Sequence, residues 1–133
     1  MDRKTLAWAA AVLSVAVAFG AFGAHGLKSR VGPEAVAQWQ TGVQYQFYHG
    51  LGLFGLALLG GRLPAQRSRL IRALLLAGIF LFSGSIYLLA TRDILGTQGL
   101  TMVLGPITPL GGLCFIAAWV VLFMTALRTT DER

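Results

Sequence analysis

Four stretches of about 20 residues almost without charged side chains limit what this chain can fold into. They predict membrane-crossing helices over about residues 5–25, 35–61, 70–91 and 104–128. A helix needs about 20 apolar residues to cross the hydrocarbon core of a bilayer. Each stretch is apolar nearly all round, which is not typical of surface helices in a soluble bundle. We therefore predict an all-α fold, a polytopic integral membrane four-helix bundle, with residues 1–133 as one domain.

The composition supports a membrane protein. Charged residues make up 12% of the 133 residues, and the mean hydropathy is +0.69. Soluble domains carry about 25% charged residues. Cys114 is the only cysteine, so an intrachain disulfide and a cysteine-based zinc site are both excluded.

Lysine and arginine are distributed unequally between the two sides of the predicted membrane. Positive residues are enriched in cytoplasmic segments. We therefore expect an inner-membrane protein with both termini and the middle connection in the cytoplasm. The net charge of +6 then reflects topology, and nucleic-acid binding is not expected. One side has Arg3, Lys4, Arg62, Arg67, Arg69, Arg72, Arg128 and Arg133, and the other has Lys28, Arg30 and Arg92.

Polar residues collect in the half of the predicted bundle opposite this basic side. His49 lies roughly 12 Å below the outer start of the second helix at 1.5 Å per residue. A histidine at that depth is costly unless it faces the bundle and finds a partner. We expect an outward-facing pocket that binds or passes a small ligand, an ion or a lipid. Its candidate residues are His25, Gln44, Tyr45, His49, Ser83, Tyr87 and Thr108.

Two structural alternatives stay open for these polar residues. A neutral His49 could hydrogen-bond to another helix without binding any ligand. Gly105, Pro106 and Pro109 predict a helix-breaking entry to the last helix, because proline lacks the amide proton that a helix uses. If that helix starts only after residue 106, the prolines instead belong to its first turn.

The sequence contains no constellation that indicates catalysis, so we do not expect an enzyme. All five carboxylates lie in tails or loops, and neither a Ser/His/acid set nor a metalloprotease motif is present. No cofactor is predicted. One alternative is a haem or copper accessory protein that uses His25 and His49 as ligands. Another is an assembly factor or homo-oligomer, whose partners besides the bilayer are other membrane proteins or copies of itself.

Four blocks of the sequence also resemble a known family. The resemblance implies an integral inner-membrane protein and supplies no reaction. The family comprises small four-helix membrane proteins, catalogued as domain of unknown function 423, mostly bacterial and with related mitochondrial proteins in animals. The blocks are GAFGAHGL (20–27), WQTGVQYQFYHGLGLF (39–54), SGSIYLLA (83–90) and LGPITPLGG (104–112).

Overall fold

The computed structural model of the chain describes residues 1–130, which are helical apart from short connections and contain no β-strand. Helix α1 continues through a π-helical turn, and a second π-helical turn joins α3 to α4, so that α3 and α4 form one long third helix. The predicted all-α fold is confirmed for this part of the chain. The helices are α1 (Arg3–Phe22, then the π turn Gly23–Leu27), α2 (Pro33–Leu58), α3 (Ala65–Gly78, then the π turn Ile79–Ser83), α4 (Gly84–Ala90), α5 (Arg92–Leu95) and α6 (Thr101–Thr130).

Three helical segments are long and apolar enough to cross a membrane. They are Arg3–Leu27, Ala65–Ala90 and Gln98–Arg128. Helix α2 has 26 residues, which is sufficient length, but it is not among the three. Glutamines, tyrosines and a histidine make α2 more polar than its neighbours. The third helix begins at Ala65, before the predicted start near residue 70, because its first turns include arginines that lie outside an apolar span.

Consecutive helices run antiparallel. The amide of Asp2 donates to the carbonyl of Ala57 (2.9 Å), which joins the start of α1 to the end of α2. The N-terminus, the α2–α3 connection and the last turns of α6 therefore lie at one end of the bundle, which we call the termini end. Arg133, which was counted in the charge argument, lies outside the described residues.

Helix α2 and the long third helix form the centre of the bundle. Helix α1 packs mainly on α2, and α6 packs mainly on the third helix. Close approach of α6 depends on glycine: a Cβ at Gly111 would collide with the backbone of Phe82, and one at Gly78 would collide with the Phe115 ring. The larger apolar core lies toward the termini end, around Leu53, Ile71 and their neighbours.

The termini end carries a charged cluster. Asp2 caps α1 by accepting from the amides of Lys4 (3.0 Å) and Thr5 (3.1 Å). Its second oxygen accepts from the Thr5 hydroxyl (2.6 Å) and pairs with Arg72 (3.2 Å). The hydrogen bonds from Thr5, together with the nearby guanidinium, hold the pKa of the Asp2 carboxyl below its ordinary value. This cluster joins α1 to α3 where the chain leaves the apolar core.

Helix α6 runs without a break through the segment predicted to interrupt it. Gly105, Pro106 and Pro109 lie inside a helix that already begins at Thr101, so the expected helix-breaking entry is not formed. Prolines at these positions deprive the carbonyls four residues earlier of their amide partners. The affected residues, Met102 and Gly105, are both exposed and lie in the first two turns of α6, so their carbonyls are not enclosed within the bundle.

Candidate functional site

One buried amide connects three helices near the middle of the bundle. Gln46 on α2 is only 4% exposed. Its Nε2 donates to the carbonyl of Val12 on α1 (2.9 Å), and its Oε1 accepts from the hydroxyl of Tyr87 on α4 (2.6 Å). A buried polar group is costly unless it is hydrogen-bonded, and here both ends of the amide are paired. Gln46 thus holds α1 and α4 against α2.

Gly42 lies on α2 one turn before Gln46, and it lets α4 approach α2 closely at that level. Its carbonyl accepts from the Ser83 hydroxyl (2.7 Å), which is fully buried. A Cβ at Gly42 would lie 2.8 Å from Cε1 of the Tyr87 ring, closer than real contacts allow. Only glycine therefore permits both the Ser83 hydrogen bond and the position of Tyr87.

Trp39, near the start of α2, packs against the end of this cluster that is farther from the termini end. Its indole Nε1 donates to the carbonyl of Phe19 (2.8 Å), and its ring centroid lies 4.5 Å from that of Tyr87. Phe19 meets Tyr87 edge-on at 4.9 Å. The π turn of the first helix begins at Gly23, where a side chain would collide with Trp39. Aromatic packing and one hydrogen bond therefore fix α1 against α2.

His49 is buried as expected, but most of its contacts are apolar. The ring stacks on Phe115 of α6, with centroids 3.5 Å apart and planes 7° apart, and its exposure is 5%. Nδ1 lies 2.7 Å from the carbonyl oxygen of Tyr45. A carbonyl can only accept, so in the neutral ring Nδ1 carries the proton and Nε2 is left as the acceptor. Within residues 1–130, Nε2 makes no hydrogen bond.

The remaining predicted residues do not join His49 in one pocket. Gln44 donates to the hydroxyl of Tyr48 (2.6 Å) on the exposed side of α2. Thr108 is hydrogen-bonded to Ser85 (2.5 Å), where α6 meets α4. His25 is exposed near the far end of the first helix. The seven candidates therefore occupy separate places: His49 with Tyr45, Tyr87 with Ser83 beside Gly42 and Gln46, Thr108 at α6, Gln44 on the surface and His25 at the end of the bundle.

The two histidines are too far apart to share one haem or copper ion. Gly23 contacts Trp39, so His25 lies near the level of the second turn of α2. His49 is ten residues beyond Trp39, or about 15 Å along the helix. The described residues also contain no group of three His, Cys, Asp or Glu side chains that could hold a metal ion.

Gln46 is the residue that sequence reasoning missed. The prediction chose the face of α2 that contains Tyr45 and His49, whereas the buried face is centred between His49 and Gln46. A signal was available, because Trp39, Gly42 and Gln46 follow one another at helical spacing with Leu53. It was obscured because apolar residues surround α2 on every side in its second half.

Fold and site together define a multi-pass, all-helical membrane protein whose buried polar side chains bond its helices to one another. The chain belongs to the family described as "Protein of unknown function (DUF423)", which matches residues 19–112.

Two bacterial relatives carry names that agree with this class. The UPF0382 membrane protein YwdK of Bacillus subtilis is 44% identical over 115 residues, covering 86% of this chain and 88% of the relative. The UPF0382 inner membrane protein YgdD of Escherichia coli K12 is 35% identical over 127 residues, covering 96% of this chain and 92% of the relative. No solved structure matches the chain.

Proposed function

We propose that this protein is a four-span inner-membrane protein with cytoplasmic termini, and that it acts as a non-enzymatic membrane scaffold that assembles with copies of itself. The exposed side of α2 carries the proposal: it presents polar side chains where a lone bundle would meet lipid. The charge distribution and the antiparallel course of the four long helices support this span count and orientation. They are tested by maleimide labelling of intact cells, in which Ser29→Cys should react and Ser68→Cys should not.

The internal polar groups favour a scaffold over a transport path. Within residues 1–130, apart from Nε2 of His49, Thr97 Oγ1 is the one buried side-chain polar atom without a hydrogen-bond partner, and it lies in the connection before α6. Gln46, Tyr87 and Ser83 are each bonded to a neighbouring helix. Polar groups engaged in this way fix helix register, and they do not offer a passing ion a set of free ligands.

The exposed side of α2 is different from the exposed sides of α1 and α6. Helices α1 and α6 expose mainly large apolar residues, such as Val17 and Phe123, which suit lipid chains. The α2 face, defined as Thr41, Gln44, Tyr48, Leu51 and Gly55, lies along one side of the helix and contains an amide, a phenol and a hydroxyl. Tyr48 is ten residues from the end of α2, about 15 Å along the helix and near mid-membrane.

A second copy of the chain is the partner that fits the α2 face best. Lipid chains offer no hydrogen-bond partner, so the Gln44–Tyr48 pair can satisfy itself only in part. The side-chain amide of Gln44 is both a donor and an acceptor. It can therefore hydrogen-bond to Gln44 of a second copy across a two-fold axis. A Cβ at Gly55 would meet nothing within 4 Å, which leaves room for a second helix to approach.

Cysteine cross-linking in membranes tests this scaffold. On a Cys114→Ser background, each residue of the α2 face is replaced in turn by cysteine, and the membranes are oxidised with copper phenanthroline. We expect a disulfide-linked dimer as the main product for at least one position, strongest where the two helices cross. Because every position of the face is tested, the crossing point need not be known beforehand.

Phe123→Cys on α6 is the matched control. Phe123 is 62% exposed and Leu51 is 55% exposed, and both lie in the half of the bundle nearer the termini end. Equal cross-linking from Phe123→Cys and from the α2 positions would show random collision and would reject the interface. Cross-linking from Phe123→Cys alone would place the interface on α6.

A second candidate function, small-ligand binding at His49, is favoured by its unbonded Nε2. The aromatic rings of Phe115 and Trp119 lie next to the imidazole ring, with centroids 3.5 and 6.1 Å from its centroid. A ligand with a flat ring and one donor group would fit such surroundings. The test is mass spectrometry of small molecules that co-purify with the wild type and with His49→Leu. A stable His49→Leu protein that retains the same molecules would exclude this role.

A further inference from the structure

A groove at the termini end combines two arginines with an apolar wall. It has a volume of about 410 Å³ and lies between the start of α3 and the last turns of α6. Arg67 and Gln66 line it from α3, and Arg128 lines it from α6. Two cations on different helices that border one groove form an electrostatic trap for an anion.

No acidic side chain in the described part of the chain neutralises these arginines. The one ion pair within residues 1–130 joins Arg72 to Asp2. The other described acids, Glu34 and Asp93, belong to the opposite end of the bundle. Among the described residues the groove therefore has an excess of positive charge, to which the first turn of α3 adds because no side chain caps it.

The groove changes from polar to apolar along α6. Arg128 is followed, one and two turns deeper in the bundle, by Met124 and then by Val121 and Val120. A turn of helix rises about 5.4 Å, so the apolar wall extends roughly 11 Å below the arginine. This order, cation first and apolar wall below it, matches a phospholipid, whose phosphate lies at the interface and whose acyl chain descends into the hydrocarbon.

We propose that this groove binds an anionic phospholipid, with Arg67 and Arg128 holding its phosphate and the wall of Val120, Val121 and Met124 holding an acyl chain. Arginine suits the phosphate because its planar guanidinium donates two parallel hydrogen bonds. Binding at this groove is independent of the α2 face, which lies on another helix, so either proposal can fail without the other.

A lipid titration of the purified protein in dodecyl maltoside tests the site. The probe is fluorescently labelled phosphatidylglycerol, and labelled phosphatidylcholine is the zwitterionic comparison. We expect phosphatidylglycerol to bind more tightly, and each of Arg67→Gln and Arg128→Gln to weaken its binding about fivefold, the factor typical of one basic residue at an anionic surface. The double variant should bind the two lipids alike.

Arg69→Gln provides the matched control, because Arg69 is an exposed arginine of α3 that does not line the groove. It removes the same charge and should leave the phosphatidylglycerol affinity within about twofold of wild type. An equal loss in Arg69→Gln would reduce the effect to general surface charge and would overturn the site. Full displacement of the lipid by millimolar inorganic phosphate would likewise overturn it, because the acyl wall would then contribute nothing.

Discussion

The two sides of α2 carry similar polar residues in different surroundings. On the buried side, Gln46 reaches the backbone of α1 and the phenol of Tyr87 on α4. On the α2 face, Gln44 reaches only Tyr48 on its own helix. Two glutamines two residues apart therefore lie in different surroundings: one joins helices within the molecule, and the other lies on the face where we propose a second copy.

The polar residues on both sides of α2 make it the least apolar of the long helices. A helix that faced only lipid and a packed core would gain nothing from amides and phenols. Polarity on the buried side is offset by hydrogen bonds to neighbouring helices. Polarity on the α2 face has no such compensation within one chain, and this difference is the physical basis for proposing a second copy there.

Alanine in place of two glycines of α2, the packed Gly42 and the open Gly55, should give the largest difference in stability. Gly42→Ala places a methyl group 2.8 Å from the Tyr87 ring and should lower the free energy of unfolding by about 1–3 kcal/mol. Gly55→Ala meets nothing within 4 Å and should change it by less than about 1 kcal/mol, in the stabilising direction, because alanine favours helix. The measurement is unfolding by dodecyl sulfate, followed by circular dichroism in excess neutral detergent, which keeps copies apart. Equal losses for both variants would mean that the two sides of α2 are packed alike.

Replacing each of the two glutamines with leucine should give a smaller difference in unfolding free energy. Gln46→Leu leaves the buried hydroxyl of Tyr87 without its acceptor and should cost about 1–2 kcal/mol of unfolding free energy. Gln44→Leu alters an exposed pair and should change the stability of the isolated bundle by less than about 0.5 kcal/mol. The same detergent titration measures both.

A double-mutant cycle shows whether the Gln46 effect comes from the hydrogen bond. In a Tyr87→Phe background, which removes the hydroxyl, Gln46→Leu should lose at least half of its cost. A cost that is unchanged in that background would assign the loss to packing against α1 instead. Gln46 would then not distinguish the buried side of α2 from the α2 face, although Gly42 would still do so.

Charge spacing correctly predicted an all-helical fold with several apolar helices, because charged residues are costly within lipid whatever the tertiary fold. The burial of His49 could also be predicted on that ground, and the structure confirms it. The partners of His49 could not be predicted. Its ring stacks on Phe115, sixty-six residues away in sequence, and helical periodicity on α2 contains no information about which residue of α6 lies opposite.

The predicted pocket failed for a related reason. Depth in the membrane placed Tyr87, Ser83 and Thr108 at similar levels, but depth does not determine the direction in which each side chain points around the bundle. Helix rotation is set by close contacts such as Gly42 against Tyr87 and Gly111 against Phe82. The π turns at Gly23–Leu27 and Ile79–Ser83 add further rotation, and no residue type marks them in the sequence.

The smallest expected effect comes from the termini end, where the bond between helices is ionic rather than neutral. The pKa of Asp2 is lowered in the folded protein, chiefly by the hydrogen bonds from Thr5 and then by Arg72. A carboxyl with a depressed folded pKa adds stability above its unfolded pKa, near 3.8, and that stability is lost as the pH falls through the folded pKa. Stability of the wild type should therefore fall below about pH 5, by at most about 1 kcal/mol for this partly exposed pair.

Asp2→Asn isolates this contribution and extends the comparison to a third kind of contact. Asparagine still caps the first turn of α1 but carries no charge for Arg72, so stability at pH 7 should fall slightly. Its decline between pH 5 and pH 3, measured by thermal unfolding in detergent, should be shallower than that of the wild type. In contrast, Gln46→Leu should shift the whole curve down at every pH, because the amide and the phenol do not titrate in this range. A pH profile of Asp2→Asn parallel to the wild type would show that Asp2 acts only as a neutral cap and that its pairing with Arg72 does not contribute to stability.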